Sequence, residues 1–281
     1  MKKQTKKQTK KQTKKHWRDY WKGKSRLTII TYAVVRLIVV AVLIRSLFTG
    51  QAESAFTCVL TLFLLFLPSI VSRKMHMQLP TGLEVTIVIF IFAAEILGEL
   101  ACFYVTVPLW DKALHTVSGF IYAAVGYSMA DILNRDHRVS FRLSPVFLAL
   151  VAFCFSMTIG ALWEIFEFSV DRLFMKDMQK DTIVSAITSV TLDPTRRNIP
   201  ITISGITDVA VNGESLGLGG YLDIGLYDTM GDLIVNLIGA LVFSVIGFFH
   251  QKSQRRSKVA EMFVPTVQKE EDHGRERETE D

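Results

Sequence analysis

Cysteine is scarce in this chain: three in 281 residues, at Cys58, Cys102 and Cys154, with no CxxC pair. All three fall in apolar stretches and none in the one long polar connection, so the chain carries no disulfide framework. Cys154 reads as a small packing residue. Signatures of soluble enzymes are missing too. No glycine pattern stands between a strand and a helix as a phosphate-binding loop requires, and there is no nucleophile elbow, HExxH or phosphatase signature. Nor is there an internal repeat of the kind that builds transporter halves.

What the chain has in abundance is apolar sequence. Hydrophobic residues make up 49%, and they gather into runs matching the roughly 20 residues a helix needs to cross a bilayer. Six runs qualify: Leu27–Phe48, Ser54–Val71, Leu83–Tyr104, Ala113–Leu133, Pro145–Phe168 and Asp232–Phe249. The fold class is therefore an all-α integral membrane protein, a six-helix transmembrane bundle. The membrane domain spans 27–250, preceded by a basic tail, 1–26, and followed by a charged tail, 251–281. The first run is too long for a signal-peptide core, and Arg36 and Arg45 interrupt it, so it reads as a retained span. The KKQT repeat from Lys2 to Lys15 is a solvated polycation that reads first as a topology-fixing tail, with anionic lipid ahead of nucleic acid as its expected partner. Val259–Val267 reads as a short membrane-surface segment.

Lysine and arginine set the orientation. Arg73 and Lys74 lie between spans two and three, Arg135, Arg138 and Arg142 between four and five, and Lys252, Arg255, Arg256 and Lys258 open the carboxyl tail. Gly50–Glu53 has no basic residue and the connection before span four has only Lys112. Both termini are thus expected in the cytoplasm of a multi-pass plasma-membrane protein. The long connection 169–231 then lies outside. Its centre, 199–213, alternates polar and β-branched residues up to an Asn212-Gly213 turn signal, so a small β-ribbon is expected there. Loops of this length are often lids or binding elements.

With that orientation, polar residues converge on the outer layer. Asp111 and His115 share a helix face at the mouth of span four, Glu164 and Glu167 share one in the last outer turn of span five, and Asp228, Asp232 and Asn236 step by four into span six. Glu99 of span three falls at similar depth. Singly, each has an ordinary explanation: Asp111 and Asp232 as helix-start charges, the two glutamates as interfacial residues beside Trp110 and Trp163, His115 as a core hydrogen-bonder. Jointly, carboxylates of like sign in low dielectric need a compensating cation or shared protons. Midway along the bilayer, Arg36 and Glu95 form an expected structural pair, while Arg45 near the outer end snorkels or lends positive charge to the acidic site.

The segments Trp110-Asp-Lys-Ala-Leu-His115, Trp163-Glu-Ile-Phe-Glu167 and Asp228-Thr-Met-Gly-Asp232 with Asn236-Leu-Ile-Gly-Ala240 resemble the YjdF-like bacterial inner-membrane proteins. That family is similar in carrying an Asp-x3-His helix, a Glu-x2-Glu helix and a final Asp-x3-Asp-x3-Asn helix. The resemblance covers spans four to six, and VanZ-like membrane proteins share part of it. It implies the same polar positions without supplying a reaction, and the loop 169–231 is longer than the family pattern.

Three functions follow. The first is binding of a divalent cation or small ligand by Asp111, His115, Glu164, Glu167, Asp228 and Asp232, with Glu99 and Asn236 in support. A carboxylate-rich set with one imidazole suits Mg²⁺, Mn²⁺ or Ca²⁺ ahead of Zn²⁺. The second is metal-dependent hydrolysis or transfer on an envelope lipid, with His115 as ligand or base. The third, proton-coupled transport, fits least because such sites lie near the midplane. Oligomeric state is not legible.

Overall fold

The structure, a computed structural model, describes residues 23–74, 77–135, 142–252, 258–264 and 266–267. The basic tail through residue 22, Arg138, Arg255, Arg256 and the charged stretch from 268 lie outside the described residues.

The chain is mostly helical, and among the described residues five helices are long and apolar enough to cross a membrane: Arg26–Phe48, Ala52–Ser72, Trp110–Asn134, Pro145–Phe174 and Leu226–Lys252. Their ends follow from local chemistry. Helix α1 (Arg26–Phe48) starts at Ser25, whose hydroxyl accepts from the Thr28 amide at 3.2 Å. After α2 (Ala52–Leu64), a break at Leu65–Phe66 leads into α3 (Leu67–Lys74), so the second run is one crossing built of two helical pieces.

The third run departs from the expected single helix. Helix α4 (Thr81–Phe92) passes directly into a π-helical segment, Ala93–Leu100, closed by the Ala101 amide on the Ile96 carbonyl at 3.0 Å. The chain then breaks at Cys102, whose φ of 58° is left-handed, and resumes as the short α5 (Phe103–Thr106). Rings pack at this break: a Cβ at Gly98 would lie 2.3 Å from the Tyr104 ring, so the aromatic rests directly on the glycine backbone. The wider π turn cannot be read from hydrophobic periodicity, and such turns cluster at functional sites.

Helices α6 (Trp110–Arg135), α7 (Pro145–Phe174) and α8 (Leu226–Lys252) form a tight three-helix unit. Helix α7 begins at Ser144, which caps the Phe147 amide, with Pro145 in the first turn where no amide is needed. Close approach of α6 and α8 depends on Gly239, where a Cβ would stand 2.0 Å from the Thr116 carbonyl oxygen. One apolar core, including Ile121, Ala124, Tyr127, Leu148, Ala152, Ala240 and Phe243, fills the unit. A second, including Tyr32, Val35, Val39, Cys58, Leu65, Val88 and Ile91, joins α1, α2 and α4. Cys154 is exposed on the outside of α7 instead of packing inside.

Between α7 and α8 lies the long connection, and it carries the expected ribbon in short antiparallel pieces. Strand β1 (Met77–Gln78) belongs elsewhere; the connection holds β2 (Ile183–Val184), β3 (Ala186–Ser189), β4 (Ile201–Ser204), β5 (Ala210–Val211), β6 (Glu214–Ser215) and β7 (Tyr221–Leu222). The pairings are β2 with β7, β3 with β4, and β5 with β6 across Asn212-Gly213, both at positive φ. Within Val259–Val267, Met262 is 52% exposed and Val264 is buried. Helix α9 (Lys258–Phe263) folds back onto the bundle and β8 (Thr266–Val267) pairs with β1. The Phe263 ring meets Phe120 edge-on at 5.1 Å and Val264 is buried, because these side chains find a gap beside α4 that an isolated apolar segment would not reveal.

Candidate functional site

Helices α6, α7 and α8 bring one end of each to the same place. Asp111 and His115 occupy the first two turns of α6, Glu164 and Glu167 the last third of α7, and Asp228 and Asp232 the first two turns of α8. Since α8 starts at Leu226, six residues ahead of the expected run, both aspartates are helical and face inward together. Acidic side chains in the first turn of α6 and α8 also sit at the positive end of each helix dipole.

His115 is the hinge of the arrangement. Its Nε2 stands 3.7 Å from Asp111 Oδ1 and its Nδ1 3.6 Å from Glu164 Oε1. Two sets of donors therefore share it: His115, Glu164 and Glu167 on one side, and Asp111, His115 and Asp232 on the other, each with ligand atoms within 4.8 Å of one another. His115, Glu164, Glu167 and Asp232 are all buried. Glu167 Oε1 accepts from the Trp163 indole nitrogen at 2.9 Å, which orients that carboxylate from the helix's outer edge. Among the described residues, Glu164 Oε2, Asp232 Oδ1 and Asn236 Oδ1 are buried acceptors without a hydrogen-bond partner. Buried polar atoms are nearly always satisfied by protein groups or ordered water, so these three acceptors call for a partner.

Lys112 is the residue missed at the sequence level. It appeared there only as the lone cation of a loop, yet it lies inside α6 and its Nζ reaches Asp228 Oδ1 at 2.6 Å, Asp232 Oδ2 at 2.9 Å and Asp111 Oδ2 at 4.0 Å. The compensating charge that clustered carboxylates demand is thus partly supplied by the chain itself. The signal was available: Lys112 follows Asp111 directly, and three residues on stands His115. Its long side chain then curls across Gly231, where a Cβ would meet Lys112 Cε at 3.0 Å.

Below this layer, Asn236 is held with little freedom. A Cβ at Gly119 would lie 2.3 Å from the Asn236 carbonyl oxygen, and one at Gly160 would lie 2.6 Å from its Nδ2. Nδ2 itself points at the Met157 sulfur at 3.5 Å. Glu99 is exposed on the π segment and belongs to neither donor set. Glu95 is half-buried on the same segment, and the Arg36 guanidinium lies over the rings of Tyr32 and Phe66 at 5.1 and 5.0 Å.

Above the layer, the base of the long connection is tied to the helix ends. Asp171 accepts from the Met178 and Gln179 amides at 2.6 and 2.9 Å, and Asp228 Oδ2 accepts from the Lys180 amide at 2.7 Å. Asp223 accepts from the Thr182 and Tyr227 amides at 2.6 and 2.8 Å. Asp228 thus serves both the site, through Lys112, and the strap of chain over it.

A bundle of long apolar helices with charged groups buried at one end defines a multi-pass membrane protein. The chain belongs to the family described as "Predicted membrane protein (DUF2238)", whose model matches residues 31–253. It is also similar to an uncharacterized protein of Thermotoga maritima, 27% identical over 108 residues, which is 38% of this chain and 54% of that protein. The chain therefore spans about half the length of that relative. No solved structure matches it.

Proposed function

We propose that this protein binds a divalent cation at the outward-facing end of its bundle, through His115, Glu164 and Glu167. The carrying observation is the buried three-donor set from α6 and α7 in which Glu164 Oε2 has no hydrogen-bond partner among the described residues. Two carboxylates and one imidazole suit Mn²⁺ or Mg²⁺, and three protein donors leave positions open for water or a substrate oxygen. Asp228 and Asp232 act beside the cation with Lys112, and Asn236 steadies α8 against α6 and α7. Glu99 lies at the rim.

Outward placement rests on the basic residues of the short loops and on counting Thr81–Leu100, α4 with its π segment, as a sixth crossing. Six crossings leave both termini in the cytoplasm, the basic tail against anionic lipid and the long connection outside the plasma membrane. The polar positions that carried the resemblance to YjdF-like proteins are the ones gathered in this site.

A second reading, hydrolysis or transfer on an envelope lipid, gains support from Trp163. This residue is 43% exposed on α7 while its indole donates to Glu167, which links a site carboxylate to a face open to lipid. Proton-coupled transport is disfavoured by the packed layer of Ile121, Ala124, Leu148, Ala152, Ala240 and Phe243 in the same three-helix unit. Elemental analysis of detergent-purified protein offered Mn²⁺ tests the main reading. Near-stoichiometric metal, lost in Glu164→Gln with monodispersity kept, is expected; a wild type that binds none overturns it.

A further inference from the structure

We propose that Asp111, Asp228 and Asp232, with His115 at their edge, form a second cation position, which the Lys112 ammonium fills. This deepens the cation-site reading; the two share His115 but draw on different carboxylates and are tested separately. Three observations carry it. The Nζ of Lys112 lies 2.6, 2.9 and 4.0 Å from the three carboxylates, a cation set among oxygens from two helices. Asp111, His115 and Asp232 also form a candidate metal set of their own, within 4.8 Å. Finally, Asp232 is 0% exposed and its Oδ1 has no partner among the described residues, so the ammonium leaves the pocket's deepest acceptor unsatisfied.

Chemistry explains why a lysine and a hard cation compete here. An ammonium offers three hydrogen-bond donors and one charge, whereas a divalent ion draws on six or more oxygen ligands at 2.0–2.6 Å. Carboxylates from two helices supply such oxygens, and with two charges the ion offsets more of the buried negative charge than one ammonium can. The tether favours Lys112 because its local concentration is high and no cation need be taken up from solution. The site as a whole thus presents one exchangeable position, His115 with Glu164 and Glu167, beside one filled by the chain. A single bound cation next to a fixed ammonium suits recognition of one negatively charged group across both.

The test is Mn²⁺ stoichiometry, by elemental analysis and calorimetric titration, on the full chain and on Lys112→Met. Removing the ammonium is expected to raise bound Mn²⁺ by about one equivalent per chain, and Lys112→Met with Asp232→Asn is expected to lose that gain. An unchanged stoichiometry in Lys112→Met overturns the second position while leaving the His115, Glu164 and Glu167 reading intact. A wild type without metal and a Lys112→Met variant with one equivalent would sink the first reading and support this one. Should Lys112→Met aggregate, recovery of monodisperse protein by Mn²⁺ or by methylammonium during purification supports the proposal; recovery by neither overturns it.

Discussion

Replacing Gly239 with alanine should part α6 from α8. The new Cβ would stand 2.0 Å from the Thr116 carbonyl oxygen and 2.9 Å from the Phe120 nitrogen, both backbone atoms that no rotamer change can move. A carbon–oxygen contact relaxes only near ~3.3 Å, so the helices must separate by about 1 Å. Overpacking of this kind costs typically 1–3 kcal/mol, and a clash with backbone belongs at the top of that range, about 3 kcal/mol. For a chain of this size that is a fall in melting temperature of roughly 6–12 °C. The separation also strains the Lys112 bridges at 2.6 and 2.9 Å, which span the same two helices about 16 and 10 Å away along α8. The assay is thermal unfolding in detergent, followed by intrinsic fluorescence, with Gly23→Ala as control because a Cβ there meets nothing within 4 Å. A Gly239→Ala protein that melts with the wild type would refute the close-packed α6–α8 interface and the site geometry built on it.

Two further outcomes are expected. Arg36 is half-buried between the rings of Tyr32 and Phe66 while Arg45 is exposed. Arg36→Ala should therefore cost about 1 kcal/mol or more and lower the yield of monodisperse protein well below that of Arg45→Ala; equal tolerance would undo the proposed pairing of Arg36 with Glu95. In the long connection, the Thr195 hydroxyl, followed by the Thr195, Arg197 and Ile199 amides, holds the Asp193 carboxyl below its ordinary value. A lowered carboxyl stabilises the loop when ionised, fully so above its ordinary value of about 4, and the contribution fades as pH falls through the lowered value. Hydrogen exchange at the Thr195 and Arg197 amides, taken relative to their intrinsic rates, should accelerate at pH values below that point in the wild type. In Asp193→Asn it should be fast at neutral pH already, and slow exchange in that variant would contradict the assignment.

The membrane class and the acidic side of the site were legible because both are written in local patterns. Apolar runs of bilayer length show themselves as composition, and Asp111 with His115, Glu164 with Glu167, and Asp228 with Asp232 share helix faces through spacing alone. Asn212-Gly213 likewise announced its turn, since both residues tolerate positive φ.

Contacts between distant elements decided the rest. Which carboxylates Lys112 would meet depended on how α8 lies against α6, which backbone contact at Gly239 sets and no spacing rule states. The π segment, against whose Gly98 Tyr104 folds back, departs from the simple helical period in a way the apolar run does not show. The edge-on contact of Phe263 with Phe120 joins elements far apart in the chain. Sequence determined the solvent each segment must face and the helix face each charge must take. Packing alone determined which helices meet, and with that whether buried carboxylates find a lysine, a cation or one another.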